Sequence, residues 1–285
     1  MKMIGNEKHI CCFGMSGIEG EKEMINMEEI AYFEQLIEYN TEDLQENIDY
    51  ITQNKGNKKA IVYSMRNQYK ELGIVEACYK MHYDKAKTNF FHASKTQEWF
   101  YKNYKNPDHN IPSGEVTTYS FETLYYAILS GCKEQIICMA NELGSFLEEE
   151  KEECNLVNTL LGYALKYVVL DDIEKGMEYI NQLEENKAKR GMKQYVEGHG
   201  RALKGLLQRD EAEFQKGLEF MLKHHVARMK RDGRKIEQYF AYDSVALAML
   251  AKERGINITV KHELLPEKYL EKTDLDYRAM EVILC

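Results

Sequence analysis

The sequence predicts an all-α fold of stacked antiparallel helical hairpins, α-solenoid-like with TPR-like repeats and at most a short extended segment near the C-terminus. Three observations predict it. The segments YYAILSGCKEQIICMANEL, YALKYVVLDDIEKGMEYINQL and RALKGLLQRDEAEFQKGLEFML repeat one pattern, and YDSVALAMLAKERGI repeats it more loosely. Aligning Ala127, Ala164 and Ala202 gives steps of 37 (164 − 127) and 38 (202 − 164), inside the period range of stacked helical hairpins. Only three prolines interrupt 285 residues, and Leu, Glu, Lys, Met and Ala fill the periodic segments, so helix propensity meets little resistance.

Residues 1–25 show no helical period, and Gly14, Gly17 and Gly20 mark a loosely packed leader. A phosphate-cradling loop is disfavoured there, because the Gly-Lys-Ser/Thr ending is missing and Glu21 and Glu23 would repel an anion. Gly14-Met15-Ser16-Gly17 is not a nucleophile elbow, which needs glycine two positions on either side of the serine, because Ile18 stands where the second glycine would be. Residues 26–110 form an N-terminal helical region. Its first part, Met27 to Gln53, reads as two short amphipathic segments parted at Asn40-Thr41, with Thr41 as N-cap of the second, together a hairpin. After Asn54-Lys55-Gly56-Asn57 a long helical stretch runs from Lys58 to Tyr104, with an interruption expected near Gly73. Tyr79, Tyr83, Ala86, Phe90, Ala93, Phe100 and Tyr104 make an apolar stripe along it, broken where Gln97 takes an apolar position. At helical spacing such a stripe is a seam against neighbouring helices rather than a ligand wall. His82 and His92 beside it lack the carboxylates a shared metal would need and read as ordinary helix residues.

The strongest punctuation is Asn106-Pro107-Asp108-His109-Asn110-Ile111-Pro112-Ser113-Gly114. It sets the main boundary, with the repeated hairpins over 119–285; one continuous domain over 26–285 is the alternative. Asp171 stands three residues before Glu174 and Asp210 three before Glu213, so both pairs read as capping boxes. Read as catalytic carboxylates they would flank a substrate, but every helix start must satisfy orphan amides, and capping accounts for them. Glu148, Glu149, Glu150, Glu152 and Glu153 form a charge run whose plain reading is a solvated helix end. Its functional reading joins them with Asp171, Asp172, Glu178, Glu184 and Glu185 in an acidic face for a basic protein partner. Lys223-His224-His225 and the cations from Arg228 to Lys235 form the one basic patch, which fits a helix C-terminus.

A net charge of −9 and a pI near 5.5 argue against nonspecific binding to nucleic acid, which depends on cations neutralising phosphates. No apolar run is long enough to span a membrane, and the N-terminus lacks a signal-peptide core, so a cytoplasmic location is expected. Seven cysteines without regular spacing fit reduced thiols, and no Cys-x-x-Cys is present. No metal, cofactor or catalytic residue is nominated.

The stretch QYFAYDSVALAMLAKERGINITVKHELLPEKYL (238–270) resembles the C-terminal part of the immunity protein 49 family. Phe240, Ala246, Leu247, Leu250, Ala251, Gly255, the alternation Ile256, Ile258, Val260, and Leu265-Pro266 before Leu270 carry the likeness. The same positions have plain readings as a buried helix, its glycine stop and an extended exit. The resemblance implies a protein of a polymorphic toxin system that binds and neutralises a cognate toxin, a basic nuclease being one candidate, by stoichiometric occlusion. It carries over no catalytic residue. The alternative is a helical-repeat adaptor or regulator that binds peptide or protein segments in a concave surface.

Overall fold

The computed structural model describes residues 26–153 and 155–280, with backbone alone for 151–153, and every regular element among them is a helix. The leader 1–25 lies outside the described residues. Asn26 opens helix α1 (Met27–Thr52): its side chain accepts from Glu29 N while the Glu29 carboxylate accepts from Asn26 N, each at 2.9 Å, a complete capping box. The expected hairpin over Met27–Gln53 is instead this single helix. Asn40, read as a breaker, is only 3% exposed and donates its side-chain amide across the interface to Glu71 Oε2 at 3.0 Å, so it does not compete for its own backbone.

Glu71 belongs to α2 (Lys58–Val75), which Asn57 caps through Ala60 N. The helix passes through Gly73, where a Cβ would stand 3.1 Å from the Phe90 ring. Glycine serves close packing here, and the break comes later, in a π-helical turn over Glu76–Lys80 closed by Met81 at φ 57°. Helix α3 (Tyr83–Asn103) follows, with Ala86, Phe90, Ala93 and Phe100 of the expected stripe fully buried. His82 pairs with Glu76 at 2.9 Å, and His92 stacks on Tyr69 with centroids 4.9 Å apart.

Short 3-10 turns at Ser113–Glu115 and Thr118–Ser120 lead into α4 (Glu122–Ser130), α5 (Lys133–Glu142) and α6 (Leu147–Glu153). Two hairpins follow. The first is α7 (Leu156–Val169) with α8 (Ile173–Glu185). The second runs from α9 (Lys193–Tyr195) through a π turn at Val196–Gly200 into α10 (Arg201–Gln208), then α11 (Glu211–Arg231). Ala127, Ala164 and Ala202, the aligned alanines, are all fully buried. The cap of α8 is Asp172, not Asp171: Asp171 sits at φ 56° and its N–H donates to Val168 O, finishing α7, while Asp172 Oδ1 accepts from Lys175 N at 3.1 Å. Asp210 caps α11 as expected, accepting from Glu213 N at 3.0 Å. No box closes there, because the Glu213 carboxylate turns to Arg201 Nε at 3.1 Å.

After a 3-10 turn at Ile236–Tyr239 comes α12 (Tyr242–Glu253), which buries Tyr242 through Ala248 together with Leu250 and Ala251. A helix buried on nearly every side belongs at the centre of a fold. It packs against α4, α10 and α11, while the 236–239 turn packs on α2. An open solenoid repeat touches only its neighbours; here the last helix returns to the first hairpin of the repeat region. Gly255 at φ 75° ends α12. The exit beyond it forms no strand among the described residues but buries Ile256, Leu264, Leu265 and Tyr269, whose hydroxyl donates to Leu129 O at 2.9 Å. One apolar cluster runs from Phe33 to Tyr269, and a smaller one gathers Ile61, Val62, Met65, Trp99, Phe100 and Ile111.

Candidate functional site

The entry into α12 places an acid almost out of reach of solvent. Asp243 is 2% exposed, so its charge needs partners. It has four hydrogen bonds: Ser244 N at 2.7 Å and Ser244 Oγ at 3.3 Å on Oδ1, and His199 Nε2 at 3.0 Å and the Arg228 guanidinium on Oδ2. Burial alone would raise this carboxyl, but Arg228 and the His199 hydrogen bond outweigh it and hold the group well below the usual carboxylate range. The geometry also sets the imidazoles. His199 Nε2 must carry a proton to donate to Asp243, and His225 Nε2 must carry one to donate to Glu237 O at 2.6 Å. Burial lowers the His225 pKa, leaving its Nδ1 lone pair to accept from Arg228 at 3.5 Å.

This cluster forms one wall of a part-open cavity of about 390 Å³ lined from α2, the 114–123 segment, α7, the π turn before α10, α11 and α12. Two further arginines line it. Arg66 reaches Glu115 Oε2 at 2.6 Å and the buried Gln97 side chain, and its guanidinium lies 4.8 Å from the Tyr63 ring centroid and 5.2 Å from that of Phe100. Arg234 donates through one nitrogen to Glu122 Oε2 at 2.7 Å and Tyr242 Oη at 2.9 Å. Burial disfavours the charge of Arg234, yet Tyr242 and Glu122 raise its pKa above the ordinary value. Tyr63 and Tyr119 line the cavity and are 46% and 60% exposed, large aromatic surface left at its rim.

The sequence nominated none of these residues as a site. Gln97, the polar interruption in the α3 stripe, is fully buried and holds Arg66 and Glu115 O. His225 and Arg228, read as part of a basic helix C-terminus, share one face of α11 at a three-residue separation and point inward. A usable signal existed in α12: Asp243 is the sole acidic or basic residue from Ile236's turn exit at Phe240 through Ala251, and a lone acid in such a run requires a buried partner. Among the described residues no group of His, Cys, Asp and Glu could hold a metal ion.

The nominated acidic residues are placed as follows. Glu149 pairs with Lys105 at 2.8 Å, and Glu150 accepts from Thr118 N and Oγ1. Asp171 pairs with Arg254 at 3.1 Å, Asp172 caps α8, and Glu184 lies 3.4 Å from Lys187. Glu148, Glu178 and Glu185 are exposed, with Glu178 accepting from Gln182. The side chains of Glu152 and Glu153 lie outside the described residues.

Fold and cavity together define an all-α protein of packed hairpins closed around a central helix, with a polar chamber walled by arginine–carboxylate pairs. The particular family is fixed by comparison: the model of the family Immunity protein 49 matches residues 120–269, more than half of the chain, and the chain belongs to that family. The match spans α4 through the Tyr269 turn and includes His199, Arg228, Arg234 and Asp243. No curated protein and no solved structure matches the chain.

Proposed function

We propose that this chain protects its cell by binding a cognate protein toxin in equimolar complex and occluding the toxin's active surface. Membership of an immunity-protein family over the hairpin region carries the reading. The net charge of −9 points to a basic toxin, such as a nuclease, because opposite charge speeds encounter and fixes orientation. The exposed acids of α6 and α8, Glu148, Glu178, Glu184 and Glu185, with Asp172 at the α8 cap, form the steering face. Glu149 and Glu150 hold α6 to Lys105 and Thr118 and contribute charge from a fixed position.

The experiment uses the product of the gene neighbouring this one as the toxin. Stopped-flow association of the purified pair gives a rate that falls with salt. Replacing Glu148, Glu178, Glu184 and Glu185 with Gln together lowers it by about tenfold at low ionic strength, with a smaller change at high salt. An unchanged rate at every salt concentration removes the acidic face from the account. Failure to form any complex removes the toxin reading itself.

A further inference from the structure

The three arginines that line the cavity leave most of their donors unused. A guanidinium offers five N–H groups in a planar fork. Arg66 donates to Gln97 and Glu115 through one terminal nitrogen, and Arg234 donates to Glu122 and Tyr242 through one terminal nitrogen. In both, Nε and the second terminal nitrogen have no acceptor among the described residues. Arg228 donates through one terminal nitrogen to Asp243 and His225; the other faces His199 Nε2 at 3.5 Å, which is itself a donor, and Nε is buried without a partner. Asp243 accepts four hydrogen bonds already, so its charge faces its own donors and not the chamber. Each arginine is therefore neutralised by one carboxylate yet keeps N–H groups without an acceptor, on the chamber's side in Arg66 and Arg234 and buried at Nε in Arg228.

We propose that this chamber is a binding site for an oxyanion, a phosphate or carboxylate group, carried on a body of ring size. Guanidinium forks match both oxyanions with paired N–H···O bonds. A bare ion would leave most of the 390 Å³ empty, a volume that falls in the range of small-molecule pockets. Tyr63, Tyr119 and Tyr195 line the same space, and an aromatic wall beside an anion clamp suits a planar group next to the oxyanion. Glu115 and Glu122 also line the chamber, so a polyanion is disfavoured and a singly or doubly charged ligand is selected. No residue of α6 or α8 lines the chamber; a free ligand would not rest on the toxin reading, whereas an inserted carboxylate does.

The ligand arises either as a free small molecule or as a carboxylate that the toxin inserts, and one experiment separates them. The purified chain is titrated calorimetrically with inorganic phosphate, adenosine monophosphate and benzoate, and separately with toxin. In parallel, phenylglyoxal modification of the unmutated protein is read by mass spectrometry at Arg66, Arg228 and Arg234, with and without each probe. This labelling needs no variant to fold. Saturable equimolar binding of a small probe, protection of the arginines by it, and a loss of at least about tenfold in affinity in Arg66→Gln and Arg234→Gln assign a free ligand. No small-probe binding, but arginine protection by toxin and the same loss in toxin affinity, assigns an inserted carboxylate. Unchanged labelling under every probe and under toxin overturns the proposal.

Discussion

Asp243 and His92 show how single side chains tie this fold to pH. Replacing Asp243 with Asn keeps shape but removes the charge that Arg228 and His199 address. Breaking a buried pair from one side costs about 3–5 kcal/mol, so D243N is expected to lose stability on that scale in urea unfolding; a loss under about 1 kcal/mol, the worth of an exposed pair, would contradict the buried cluster. Because the folded Asp243 pKa is depressed, its contribution is present above the ordinary carboxylate range and is lost as pH falls through the folded value. His92 acts over a different window. Burial against Tyr69 lowers its pKa from 6.5 to about 4, so below pH 6.5 the unfolded chain takes up a proton that the folded chain refuses. Stability then falls by about 1.4 kcal/mol per pH unit, reaching about 3 kcal/mol near pH 4, and buried His225 adds in the same direction. H92F is expected to flatten the unfolding free energy between pH 6.5 and 4. An unchanged slope would place the pH sensitivity elsewhere.

Among the elements, the hairpins were legible in sequence because their repeat has a packing cause. The second and third units share Lys-Gly-apolar-Glu-aromatic, and both glycines mark close helix approach: a Cβ on Gly217 would stand 2.4 Å from Ala202 N, and one on Gly176 would stand 2.5 Å from the Leu207 Cδ1 methyl. The first obstacle is backbone and the second a side chain that can turn. G217A is therefore expected to destabilise by about 3 kcal/mol or more and G176A by about 1 kcal/mol, measured by urea midpoints; equal costs would deny the backbone contact between α10 and α11. What the sequence misplaced were boundaries decided across an interface. Asn40 carries the local chemistry of a breaker, yet its amide answers Glu71 on α2, and Gly73 looks like an interruption while serving the Phe90 ring. Tertiary partners 31 and 17 residues away (71 − 40 and 90 − 73) settled both.

For the whole molecule, the fold class followed from period and composition, whereas the site did not, because it is assembled by closure. Tyr63, Glu115, His199, Arg228 and Asp243 reach one chamber only because α12 returns to α4 and the 236–239 turn docks on α2. No local spacing encodes that return. It gives a central buried helix, an arginine-lined chamber inside and acidic helices outside, which on our account face a toxin that is bound and not transformed. The direct test measures toxin activity while purified chain is added in increasing molar ratio at concentrations well above the dissociation constant. The account predicts a linear fall to zero at equimolar addition, with full toxin activity recovered when the complex is separated. Complete inactivation by a small fraction of an equivalent, or toxin that stays inactive after separation, would show turnover and contradict it.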